Sequence, residues 1–91
     1  MEVRWTSKAL SDLTRLHEFL ATVNKPAAGR AVQALTAAAG TLASNPRIGE
    51  RLEEFDSHEV RRILVGSYEL RYQISEVTIY ILRLWHTREE R

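Results

Sequence analysis

Hydrophobic periodicity changes once along this chain, near its middle, and that change restricts the fold to helices followed by strands. From Ala9 the apolar residues fall at Leu13, Leu16, Leu20 and Val23, an amphipathic helical stripe with Asp12, Arg15 and Glu18 on its wet side. Thr6 or Ser7 can cap this helix, because either hydroxyl can accept a hydrogen bond from an orphan backbone N–H. Asn24-Lys25-Pro26 ends it and starts another, since proline is tolerated in a first turn and asparagine caps well before it. Residues 27–43 then carry Val32, Leu35, Ala39 and Leu42 as a stripe, with enough alanine for close helix–helix approach. Gly29 and Gly40 each cost about 1 kcal/mol relative to alanine inside a helix, so close packing or end effects are expected to offset them. A joint of three or four residues predicts an antiparallel helical hairpin, stopped by Ser44-Asn45-Pro46.

Strand-like patterning flanks this hairpin. Residues 2–5 alternate, with Val3 and Trp5 on one face, and predict a short opening strand. Residues 47–58 are polar, carry Gly49 and read as a surface loop. Residues 60–65 form a strand, and Gly66-Ser67 signals a two-residue hairpin turn. Tyr68, Leu70, Tyr72 and Ile74 then alternate with Glu69, Arg71 and Gln73. Ser75-Glu76 reads as a second tight turn. Residues 77–85 are apolar on both faces, which predicts a central strand covered on both sides, and residues 86–91 form a polar tail. The expected fold is therefore α+β with two layers in the order β-α-α-β-β-β, a helical hairpin on a small antiparallel sheet, with residues 1–91 as a single domain.

Composition narrows the class. Ninety-one residues suffice for one modest core without staples. Zero cysteines remove disulfides and thiolate metal sites and suit a reducing, cytoplasmic setting. No apolar run approaches the ~20 residues of a membrane helix, and the N-terminus lacks a signal-peptide stretch. Thirteen Lys and Arg against twelve Asp and Glu leave a net charge of +1, too balanced to advertise nucleic-acid binding by charge alone.

Catalytic signals are sparse. There is no metal-ligand spacing, no phosphate loop and no nucleophile elbow, so no catalytic residue, metal or cofactor is expected. His17 reads as a boundary residue and His58 as a solvated loop histidine. His86 follows the last strand with Arg88 two residues on; imidazole suits acid–base work, but a strand-end histidine hydrogen-bonded to backbone is the simpler reading. Arg61, Arg62, Arg71, Arg83 and Arg88 all fall in the three-strand meander or its tail. Clustered guanidinium groups bind phosphate or carboxylate bidentately; alternatively, these pair with Glu59, Glu69, Glu76, Glu89 and Glu90.

The segment from Val60-Arg61-Arg62-Ile63 through Gly66-Ser67-Tyr68-Glu69-Leu70-Arg71-Tyr72, with Ile79-Tyr80-Ile81-Leu82-Arg83-Leu84-Trp85-His86-Thr87-Arg88, resembles the RelE/ParE toxin superfamily. Trp5-Thr6, Ala9, Asp12-Leu13 and the later Asn45-Pro46 with Gly49 extend the resemblance over nearly the whole chain. It implies the same β-α-α-β-β-β order and the toxin component of a type II toxin–antitoxin module. RelE-like members cut messenger RNA on the ribosome; ParE-like members do no hydrolysis and trap the cleaved-DNA complex of DNA gyrase. Glu69, where RelE-like toxins often carry arginine, and the ending His86-Thr87-Arg88 without a tail tyrosine are similar to the ParE-like pattern. The runner-up is a ribosome-dependent endonuclease with His86 as acid or base and Arg62 or Arg88 on the phosphate. The ParE-like resemblance implies a cognate antitoxin in a hetero-oligomer, operator DNA contacted only through that antitoxin, and gyrase as target. Its target-binding residues would be Arg83, His86 and Arg88, with Arg61 and Arg71 weaker.

Overall fold

The structure, a computed structural model, describes residues 1–55 and 57–88. The proposed pairing with Glu89 and Glu90 and the end of the polar tail lie outside the described residues. The elements are β1 (Glu2–Trp5), α1 (Ser7–Val23), α2 (Lys25–Thr41), β2 (Glu50–Arg51), β3 (Glu59–Val65), β4 (Tyr68–Ser75) and β5 (Thr78–His86). Two helices thus pack on a five-stranded sheet of order β1-β5-β4-β3-β2, the expected α+β class.

The local capping signals hold. Thr6 Oγ1 accepts the Ala9 N–H at 3.1 Å and starts α1. Asn24 serves both helices: its backbone N–H donates to Leu20 O at 2.8 Å, and its Oδ1 accepts the Ala27 N–H at 3.1 Å. The joint is therefore one residue rather than three or four, because a single asparagine satisfies both helix ends.

β3, β4 and β5 form the expected antiparallel meander, but the sheet departs from the wholly antiparallel one expected in three ways. It is mixed, since β1 runs parallel to β5 with Val3 opposite Ile79 and Trp5 opposite Ile81. The 47–58 segment, read as a surface loop, contains β2, which pairs Glu50 and Arg51 with Arg62 and Arg61 of β3. The second turn falls one residue later than expected, with Glu76 at φ 55° and Val77 exposed. Gly66, at φ 59°, occupies the first turn as glycine readily does.

The core lies between the hairpin and one sheet face, where Ala9, Leu35, Ala39 and Leu42 meet Leu70, Tyr72, Ile74, Ile79, Ile81 and Leu84. β5 is interior in strand order, but the helices cover only this face. On the other face Tyr80 is half-buried beside Gln73, and Trp85 lies opposite Glu69. The expectation of cover on both sides is corrected accordingly.

The supposed loop is clasped from below. Tyr72 Oη donates to Pro46 O at 2.7 Å and accepts the Gly49 N–H at 3.0 Å, while Arg61 Nη1 donates to Gly49 O at 2.7 Å. Burial raises the Tyr72 phenol pKa, against the lowering by the Gly49 N–H and the Arg61 charge, so it remains a donor.

Close packing does not explain the helical glycines: a Cβ built at Gly29 or Gly40 meets nothing within 4 Å. Gly29→Ala should therefore stabilise the protein by about 0.5–1 kcal/mol, and Gly40→Ala, in the last turn of α2, by less. Urea melts of the two variants check this, and a loss of stability in Gly29→Ala would refute it.

Candidate functional site

Where α1 passes over the ends of β4 and β5, a groove of about 580 Å³ opens. Leu16, Phe19 and Leu20 line its helical side, Tyr68 and Leu84 its sheet side together with Trp85, whose ring lies against Arg71 on the other sheet face, and Arg15, His86 and Arg88 add basic groups. Phe19 is 69% exposed, and Val23, four residues further along the same side of the helix, is exposed too. An apolar face of this kind on α1 is larger than the hairpin and sheet need for themselves, and such patches mark interaction sites.

The groove is held in shape by Asp12. Although the stripe placed it on the wet side, it is 3% exposed and faces β5. Its Oδ2 accepts Arg83 Nε at 2.7 Å and the Leu84 N–H at 3.0 Å; its Oδ1 accepts Arg83 Nη2 at 3.2 Å and Arg15 Nη2 at 3.1 Å. Burial alone would raise this carboxyl's pKa, but the Arg83 and Leu84 hydrogen bonds and the charges of Arg83 and Arg15 outweigh it and hold the group below its usual range. A β-bulge makes the contact possible. Arg83 pairs with Arg71 but Ile81 with Tyr72, so Leu82 is the extra residue, and near this break in the ladder the Leu84 N–H goes to Asp12. Thr6 Oγ1 donates to the Ile81 and Leu82 carbonyls at 2.9 and 3.2 Å, tying the start of α1 to the same bulge.

The residues singled out from the sequence are dispersed. His86 and Arg88 share the groove; His86 Nδ1 accepts the Arg88 N–H at 3.1 Å, and its ring meets Tyr68 edge-on with centroids 5.4 Å apart. Arg83 adjoins them through Asp12. Arg61 belongs to the clasp and pairs with Glu59 at 2.9 Å. Arg71 lies on the opposite sheet face, bonded to Glu69, its guanidinium 4.8 Å from the Trp85 ring centroid and 5.8 Å from that of Phe55. Asp12, Arg15 and Phe19 were not anticipated as site residues. The helical spacing held a signal for Asp12, three residues after Ala9 and four before Leu16.

This site is built from an apolar helix face, a strand end and a few cations. Among the described residues no group of three or more His, Asp or Glu could hold a metal ion, and no helix is long and apolar enough to cross a membrane. The geometry is that of a surface which receives another macromolecule. Residues 3–91 match the family model of the ParE toxin of type II toxin–antitoxin systems, parDE. The chain belongs to this family. It is 33% identical over 85 residues to the protein called Toxin RelE2 of Caulobacter vibrioides, covering 93% of each chain. A solved structure described as the chromosomal ParDE TA system from P. aeruginosa superposes with a TM-score of 0.78 at 25% identity, covering 94% of this chain and 95% of that one. The α+β fold and the toxin class of a type II toxin–antitoxin system follow.

Proposed function

We propose that this toxin inhibits DNA gyrase by trapping its cleaved-DNA complex, performs no hydrolysis of its own, and is neutralised by a cognate antitoxin seated in the α1–β5 groove. The groove carries the partner reading. Its apolar floor suits one face of an amphipathic helix, and Arg15 and Arg88 at its edge favour acidic side chains on that helix. A helix seated there also covers His86 and Arg88, so neutralisation works by occluding the target-binding residues.

Against a nuclease, the sheet arginines are engaged by carboxylates: Arg61 by Glu59, Arg62 by Glu50 and Glu69, Arg71 by Glu69, and Arg83 by Asp12. Such pairs leave little positive potential to hold a scissile phosphate. Arg88 is exposed beside His86 and is the first choice for target contact, with Arg83 supporting it through Asp12 and with Arg61 and Arg71 as weaker contributors.

Purified protein added to gyrase should inhibit supercoiling and accumulate cleaved DNA. Arg88→Ala should need roughly tenfold more protein, the loss of one charge-assisted contact of about 1.5 kcal/mol. Wild-type protein that leaves both gyrase activities untouched, or that cuts a translated message at codon positions, overturns the reading. A folded Arg88→Ala of unchanged potency moves the contact elsewhere.

A further inference from the structure

Two charged side chains are buried among the described residues, Asp12 and Glu69. Asp12 shapes the groove; Glu69 lies on the other face of the sheet, 7% exposed, and has a different setting. Arg62 of β3 and Arg71 of β4 stand directly opposite one another in the ladder. Like charges so placed repel, and an anion between them offsets the repulsion. Glu69 supplies it: Oε1 accepts Arg62 Nη1 at 3.2 Å and Oε2 accepts Arg71 Nη2 at 3.2 Å.

The two guanidinium groups are positioned independently of that carboxylate. Glu50 Oε1 holds Arg62 through its Nε at 2.8 Å. The Arg71 guanidinium lies against Trp85 and Phe55, both within the range of cation–π attraction. Arg71 Nε is buried with no hydrogen-bond acceptor among the described residues, so its donors are not all satisfied by Glu69. Two forks fixed from outside and converging on one pair of oxygens form a receptor for a tetrahedral or planar oxyanion.

We infer that the sheet face opposite the helices is a phosphate-class anion receptor whose resident ligand is the chain's own Glu69, which thereby keeps phosphodiesters off this face. The inference rests on the non-hydrolytic reading above and deepens it: with Glu69 in place, the Arg62 and Arg71 forks are not open to a phosphodiester. An ordinary structural salt bridge makes no such demand, because removing its carboxylate need not create a saturable site.

The test is titration of inorganic phosphate into the full chain at low ionic strength, followed by the amide and Arg Nε resonances of residues 62–71, for wild type, Glu69→Ala, Glu69→Gln and Glu69→Ala combined with Arg62→Ala. Wild type should show no saturable shift. Glu69→Ala should bind phosphate at least roughly tenfold more tightly than wild type, as a vacated charge-assisted site predicts. Formate should compete, the added Arg62→Ala should abolish binding, and a short single-stranded RNA should follow phosphate. Glu69→Gln, which keeps the volume, should show a smaller gain of the same sign. A folded Glu69→Ala no better than wild type overturns the inference, as does wild type that already binds phosphate here equally well. Should Glu69→Ala unfold, recovery of its amide dispersion by phosphate or formate supports the receptor; failure to recover, or a Glu69→Gln indistinguishable from wild type, overturns it. Neither gyrase nor ribosomes enter the assay, so its failure leaves the target assignment standing.

Discussion

Asp12→Ala is expected to destabilise the fold by about 3 kcal/mol or more, the lower end of what removing one partner of a buried ion pair costs. The reason is what remains behind. Arg83 loses both its bonds to the carboxylate, and the Leu84 N–H, at an interruption of the ladder, loses its acceptor. Arg83, at 33% side-chain exposure, can turn partly to water, which keeps the loss from the top of the range. Asp12→Asn should lose less, since its side-chain oxygen can still accept the Leu84 N–H. The same pair makes stability sensitive to acid. The folded-state pKa of Asp12 is lowered, so its contribution is complete above the unfolded-state carboxylate value of roughly 4 and disappears as pH falls through the lower folded-state value. Urea melts across that window should show wild type losing stability towards acid more steeply than Asp12→Asn. Equal slopes, or a loss in Asp12→Ala below about 1 kcal/mol, would show the staple to be idle.

The second large effect is expected at the clasp. A Cβ on Gly49 would lie 2.6 Å from Arg62 O and 2.7 Å from Tyr72 Oη, closer than real Cβ contacts come. The Arg62 carbonyl belongs to β3 and cannot move without disturbing its pairing with β2, so the chain at Gly49 must lift instead. Gly49→Ala should then cost about 2–4 kcal/mol, overpacking together with the lost Gly49–Tyr72 hydrogen bond. Tyr72→Phe removes the hydroxyl and leaves Pro46 O and the Gly49 N–H without it, costing about 1–3 kcal/mol, and in the double variant it also relieves one of the two collisions. Because both changes break one clasp, the double variant should lose less than the sum of the two. Full additivity in chemical denaturation would mean that the groups act separately.

These two sites also mark where sequence reasoning stopped. The α1 stripe correctly makes Leu13, Leu16 and Leu20 core-facing or groove-lining, yet the same spacing puts Asp12 on the wet side. Polarity weighed against burial there because the partner that satisfies the carboxylate lies 71 residues away. Arg83 could not be assigned to α1 from strand alternation either, since a bulge breaks that alternation beside it. β2 escaped notice because two polar residues carry no period of their own, and only pairing with Arg61 and Arg62 makes them a strand.

What the sequence determined by itself is what is settled within a few residues: the helical stripes, the Thr6 and Asn24 caps, the Gly66 turn and the alternation of β4. Each depends on bonds or periods spanning no more than a turn or two, so local residue identity is enough to fix it. Tertiary structure alone decided the parallel insertion of β1 beside β5, the burial of Asp12 and Glu69 against arginines, and the separation of His86 and Arg88 from Arg61 and Arg71. Those outcomes depend on which distant charges and strand edges the fold brings within hydrogen-bonding reach, and that distance is not written in any local pattern.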